Sequence, residues 1–256
     1  MGNIVDPNSE IQQEEQRPAL TTFEDVARRL ELTLTRPDLH EDVVHGACEK
    51  ALHLGIAAVQ VRPSDVDMAV RVLGGSSVAV ASVAGYPHGS TTTAAKLYEG
   101  RDLLRRGVKE LSHVVNIGKM ISRQFRHVET EIEQIAESCR QNDAVLKIVF
   151  ECGRLAEDMK IILCKICKRT GAQFVETDTG YAPRGYTLED LALLKRIGRD
   201  RVQIKAGGAK GTLEKFIEAY DAGCERYGST GALLVLEEWK KVLAEREAAA
   251  KQAASS

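Results

Sequence analysis

Short apolar or alternating runs recur along the chain, and each is followed by a stretch with helical spacing. The candidate strands are "LELTL" (30–34), "AAVQV" (57–61), "VAVASVAG" (78–85), "LSHVVNI" (111–117), "LKIVFE" (146–151), "FVETDT" (174–179), "RVQIKAG" (201–207) and "ERYGST" (225–230). They are rich in β-branched residues, which suit a pleated, buried surface. Between them lie helical periodicities with start and stop signals. "TTTAAKLYEGRDLLRRG" opens on threonines and stops at Gly107. "TLEDLALLKRIG" places Thr187 three residues before Asp190, a near capping box, and "TLEKFIEAYDAG" runs from a Thr212 cap to Gly223.

Eight strands alternating with helices predict a parallel sheet covered by helices. Eight such units in one chain predict a single-domain (β/α)8 TIM barrel, α/β in class, over residues 21–240. An open doubly wound sheet is the alternative, but no GxGxxG follows the first strand, and no GxxxxGK[ST] occurs anywhere. In a barrel the chemistry belongs at the C-terminal ends of the strands.

Both tails differ from this body. Residues 1–20 are polar and contain proline, so disorder is expected there. Residues 241–256 are rich in Ala, Glu and Lys and should extend the last helix before fraying. Each tail is a candidate partner surface, although a merely solvated tail accounts for either composition.

Composition narrows the function. The chain is 43% hydrophobic, enough for a sizeable core at 256 residues. A net charge of -2 gives no reason to expect nucleic acid or an acidic membrane as partner. No apolar run reaches the roughly 18 residues that cross a bilayer, and the N-terminus has no apolar signal segment. The sequence starts Met-Gly, but Asp6 stands where a myristoylation signal needs Ser or Thr. A soluble, cytoplasmic protein with reduced thiols is expected. The CxxC pair Cys164 and Cys167 falls about two turns inside a helical run and has no second ligand pair, so helical packing is expected rather than redox or zinc chemistry.

Three strand ends carry unusual residues. "VLKIVFE" puts Lys147 in a buried strand. "VQIKAGGAKGT" puts Lys205 in another, before glycines and a helix start. "QFVETDTGYAP" ends a third, with Glu176 where a nucleophile would be sought. A buried lysine is costly unless paired or functional, and an internal salt bridge is the plain structural use of one. Small residues at "GGAKGT" and "GSTG" make Gly207, Gly208, Thr230 and Gly231 candidate phosphate-binding positions, since backbone N–H groups at helix starts hold anions.

These runs together resemble the deoxyribose-phosphate aldolase family. The resemblance covers about Glu31 to Leu236 and rests on "LTLTRPD", "AAVQVRPSDV", "ASVAGYPHGSTTTAAKLYE", "VVNIG", "LKIVFECGRL", "AQFVETDTGY", "IKAGGAKGTLE" and "AGCERYGSTGAL". It implies a TIM barrel and class I aldolase chemistry without metal or other cofactor: a lysine amine attacks a sugar-phosphate carbonyl to form a Schiff base, which serves as electron sink. Family members are often dimeric or larger, which leaves a homo-oligomer open to this chain, although no interface is legible in the sequence.

Carried over residue by residue, the resemblance breaks at the centre. The family's imine-forming lysine ends a strand like "FVKTSTG"; here that position is Glu176. The family's acid–base aspartate falls at Ser112. The lysine that depresses the nucleophile's pKa matches Lys205, and Lys147 matches a further family lysine. A family cysteine aligns with Gln60, and an aspartate-histidine pair with Glu31 and Leu32. Family "SGGIRT" is here "GGAKGT", and a serine pair is Thr230 and Gly231.

A carboxylate has no nitrogen with which to form an imine. Glu176 between Lys147 and Lys205 should pair with either and keep it protonated. The sequence therefore predicts an aldolase barrel inactive as an aldolase. A regulatory or scaffolding role through a protein partner is expected, with residual phosphate or sugar-phosphate affinity. The alternative is a lyase with relocated chemistry, in which Lys205 or Lys147 forms the imine and Glu176 is the base.

Overall fold

The computed structural model describes residues 17–254. The expectation for residues 1–20 lies outside the described residues up to position 16. From Arg17 onward the chain is fastened to the body: the Arg17 guanidinium donates to the carbonyls of Tyr220 (2.6 Å) and Cys224 (2.9 Å) and pairs with Glu225 at 2.9 Å.

Eight parallel strands close into a barrel in sequence order. They are β1 (Leu30–Leu34), β2 (Ala58–Val61), β3 (Ala79–Ala84), β4 (Glu110–Val114), β5 (Val145–Val149), β6 (Phe174–Glu176), β7 (Gln203–Ala209) and β8 (Arg226–Ser229). β1 pairs with β8 through Leu30–Tyr227, Glu31–Gly228 and Leu32–Ser229, which leaves no free edge. Ten helices surround it among the described residues: α1 (Phe23–Ala27), α2 (Glu41–Leu54), α3 (Val66–Leu73), α4 (Thr93–Arg105), α5 (Ile117–Ile121), α6 (Phe125–Gln141), α7 (Glu157–Thr170), α8 (Leu188–Gly198), α9 (Leu213–Asp221) and α10 (Ala232–Ala254). The barrel expected from alternation is the barrel observed.

Local chemistry sets the helix boundaries. Thr187 and Asp190 form the reciprocal capping box at α8, and the Thr212 hydroxyl accepts from the Lys215 amide at the start of α9. The strands are buried along most of their length, so they read as apolar runs broken by a few inward polar residues. The CxxC cysteines pack inside α7, where burial pushes the Cys164 thiol up to about 11 and holds Cys167 well above the ordinary range. A thiolate is thus suppressed at both, as packing residues require.

Candidate functional site: the barrel interior and its mouth

Register decides which side chains meet. Ser112 lies beside Lys147 across β4 and β5, Glu176 beside Lys205 across β6 and β7, and Lys205 beside Arg226 across β7 and β8. Neighbours in register on a parallel sheet point the same way, here into the barrel.

The result is one continuous polar chain through the interior. At the top the Gln60 amide donates to Ser112 Oγ at 2.9 Å, and Ser112 donates to Glu176 Oε2 at 2.6 Å. Glu176 Oε1 pairs with Lys205 Nζ at 2.7 Å. Lys205 continues to Glu31, and Glu31 to Lys147. Lys147 reaches Glu110 Oε2 at 2.5 Å, and Arg226 closes the chain on Glu110 at 2.9 Å and on Glu31 at 3.6 Å. Lys147, Lys205 and Glu31 have no exposed surface.

The chain balances: Glu31, Glu110 and Glu176 face Lys147, Lys205 and Arg226. Burial alone would raise the Glu31 carboxyl, but Lys147, Lys205 and Arg226 overcome it and hold Glu31 well below the carboxylate range. Glu110 is lowered in the same way, burial being overcome by Lys147 and Arg226. Burial pulls the Lys205 ammonium down, but Glu176 and Glu31 reverse this and leave its pKa raised. Glu31, Glu110 and Lys205 are therefore held in their charged forms.

Glu176 thus meets the expectation of an ion pair with a barrel lysine. The partner is Lys205; Lys147, two residues lower on its strand, is held by Glu31 and Glu110. Sequence reasoning missed Glu31, Glu110 and Arg226 as the centre of the network. The available signal was a lone charge at an inward position of each short strand, in "LELTL", "ELSHV" and "RYGS".

Above Glu176 the mouth is roofed. The Tyr86 hydroxyl donates to the Thr179 carbonyl at 2.7 Å and lies 3.1 Å from Thr35 Oγ1, while its ring meets Tyr181 edge-on at 5.7 Å. Burial, and then the charge of Glu176, raise the Tyr86 hydroxyl pKa.

Two of the candidate phosphate amides are already engaged within the protein. Gly207 N–H donates to Thr177 Oγ1 at 3.0 Å, and Gly231 N–H to Ser229 Oγ at 3.0 Å. At the start of α9 the Leu213 amide donates to Glu238 at 2.8 Å. Thr230 and Gly231 line a cavity of about 520 Å³ between α2 and α10, next to Arg36 and Lys50. A Cβ at Gly207 would lie 2.2 Å from the Asp178 carbonyl and 2.9 Å from Glu176, so only glycine lets β7 pass this close to the β6 end.

Deoxyribose-phosphate aldolase of Caldanaerobacter subterraneus is 32% identical over 84% of this chain and 94% of its own length. The chain belongs to the deoxyribose-phosphate aldolase family. The deoxyribose-phosphate aldolase of Staphylococcus epidermidis is 34% identical over 82% of this chain and 95% of its own. Among solved structures, an aldolase designated QR15 superposes with a TM-score of 0.80 at 33% identity, covering 85% of this chain and 96% of its own. The tetrameric deoxyribose phosphate aldolase of Aeropyrum pernix gives 0.80 at 25% identity, over 87% of this chain and 94% of its own. No family model matches the chain. Among the described residues no helix is long and apolar enough to cross a membrane, and no cluster of three His, Cys, Asp or Glu could hold a metal ion.

Proposed function

We propose that this chain keeps the aldolase-family barrel without aldolase catalysis, and that it acts by binding protein, further copies of itself included. The observation that carries this reading is Glu176. By resemblance it stands at the imine-forming position, and it is bound on one side by Lys205 and on the other by Ser112, itself at the acid–base position. Loss of a covalent nucleophile costs on the order of 10⁶ in rate in a well-studied triad.

Relocated chemistry at Lys205 or Lys147 is disfavoured by the same network. Imine formation needs a neutral, reachable amine. Each lysine is fully buried and touches two carboxylates. Protein binding is supported by the flanks of the barrel. Val43 and Leu234, 55% and 56% exposed, border the α2–α10 cleft, and Tyr98, 72% exposed, lies in a groove of about 830 Å³ between α4 and α6. We further propose weak anion affinity near Gly207, Gly208, Thr230 and Gly231, reduced by the amides already engaged there.

The test is incubation with deoxyribose 5-phosphate, followed by borohydride trapping and a turnover assay. No adduct and no turnover are expected. Turnover within tenfold of a typical enzyme, about 10 s⁻¹, overturns the reading. A trapped adduct that maps to Lys205 or Lys147 establishes the relocated chemistry instead.

A further inference from the structure

Two residues beyond Glu176, the chain buries a carboxylate that makes no closed hydrogen bond and meets no counter-ion. Asp178 is 1% exposed, and neither of its oxygens has a hydrogen-bond partner; among the described residues no other carboxylate is left so. A buried anion without a partner is costly, and such a group calls for an explanation.

The groups facing it do not supply a counter-charge. From the loop after β5 comes Glu151, 2% exposed, held at φ +55° with its carboxylate accepting the Thr179 amide. Cys152 follows from the short 3₁₀ turn at 152–154, and Tyr186 from the loop after β6. Behind Cys152, Lys160 of α7 and Asp190 of α8 are paired with each other. Burial first and the Glu151 charge second lift the Asp178 carboxyl to about 7, against partial relief from the Thr177 hydroxyl and the amides of Gly153 and Tyr186, none of which closes to a hydrogen bond.

What covers Asp178 also covers the mouth. The 180–186 loop lies over it, with the Arg184 carbonyl so near Gly153 that a Cβ there would come within 2.1 Å. Gly180 packs on Gly208, where an added Cβ would lie 2.7 Å away. The Tyr181 amide donates to Thr179 Oγ1 at 3.2 Å, and its ring rests on Tyr86. Thr179, next to Asp178, supplies the carbonyl that holds the Tyr86 hydroxyl over Glu176.

We propose that Asp178 is a proton-controlled latch: protonated, it lets the 180–186 loop close over the barrel mouth, and ionised, it draws water and lifts the loop. Hydration of the anion requires the Arg184–Gly153 and Tyr186 contacts to part. Their parting pulls on Thr179 and releases Tyr86, which opens the interior above Glu176. The closed form prefers the protonated acid and the open form gives it an ordinary pKa. Opening therefore rises with pH between those two values and levels off above the higher one.

Hydrogen exchange of the whole chain, corrected for intrinsic exchange and followed from pH 5 to 9, reads this directly. Protection of amides in 179–187 and around Tyr86 should fall about tenfold per pH unit up to about pH 7 and then level. In Asp178→Asn, whose neutral amide mimics the protonated acid, protection should stay high and flat. Protection independent of pH in the wild-type protein overturns the proposal, as does an unchanged fall in Asp178→Asn. Should that variant fail to fold, carbon-detected titration of Asp178 in the wild-type protein decides. A midpoint near 7 that moves down in Glu151→Gln supports the latch, and a midpoint below 5 overturns it.

Discussion

The barrel interior and the cup beneath the 180–186 loop both bury carboxylates, and they treat them in opposite ways. Glu31, without exposed surface, touches two lysines and stays ionised far into acid. Asp178, equally hidden, faces another carboxylate and holds its proton to about 7. Burial raises both; the sign of the neighbour decides the outcome. Charges carried on neighbouring strands can be balanced by register, whereas a loop takes whatever the nearest turn presents. The interior is accordingly built for permanence and the mouth for response.

The sharpest way to break this contrast is Glu31→Gln. It leaves Lys147, Lys205 and Arg226 facing only Glu110 and Glu176, and removing one partner of a buried pair costs about 3–5 kcal/mol. Urea unfolding at pH 7 should show a loss of that size; an unmoved midpoint would mean that the interior charges are not held as pairs. Acid should act in the same direction. Glu31 and Glu110 have lowered folded-state pKa values, so their contribution is present above about 4.5 and is lost as pH falls.

Asp178→Asn should have the opposite sign. A folded pKa raised from 3.8 to about 7 means that the acid contributes fully only below the unfolded value and penalises folding increasingly as pH rises to 7. The variant should gain up to about 4 kcal/mol at pH 8 and nothing at pH 4, because each tenfold difference in proton affinity between folded and unfolded chain is worth about 1.4 kcal/mol. Equal gains at both pH values would show that shape rather than charge is responsible.

A smaller effect concerns chemistry. Glu176→Lys should trap an imine with deoxyribose 5-phosphate but turn it over slowly, and adding Ser112→Asp should raise cleavage by about 10², the scale of a positioned proton-transfer group. A double variant no faster than the single one would remove Ser112 from the proton path. Smallest of all is Cys164→Ala in α7, with an expected loss of about 1 kcal/mol in thermal or urea unfolding and no change in oligomeric state or oxidant sensitivity. A larger loss, or a new sensitivity to oxidant, would assign the pair more than packing.

Much of the fold was legible in the pattern of the chain. "LELTL" coincides with β1, and "AAVQV" and "ERYGST" overrun β2 and β8 by one or two residues. "FVETDT" runs past its strand, because β6 stops at Glu176 and Thr177–Thr179 turn away to bond Gly207, Glu151 and Tyr86. Those are tertiary bonds that no local propensity encodes. The "RVQIKAG" run ended early for the converse reason: glycines that read as a loop continue β7 to Ala209 because they pass closely by the β6 end. At the site, Glu176 and Lys205 could be paired from adjacent strands, but Glu31 meets Lys147 and Lys205 across the barrel, where the closure of β8 on β1 sets the approach. Asp178 gave no signal, since a polar residue after a strand usually points to water.

The neutrality of the interior also bears on how this sequence can change over time. Exchange of Glu176 for lysine leaves four cations facing two carboxylates in a buried space, and a neutral amine lowers that excess from two charges to one. A carboxylate at 176 removes that tension at a stroke, so the step toward it is downhill in stability and the single step back is uphill. A lysine at 176 is therefore reached only through a less stable protein, or by changing two positions together. The balanced charges thus resist any single exchange that changes the sign at 176.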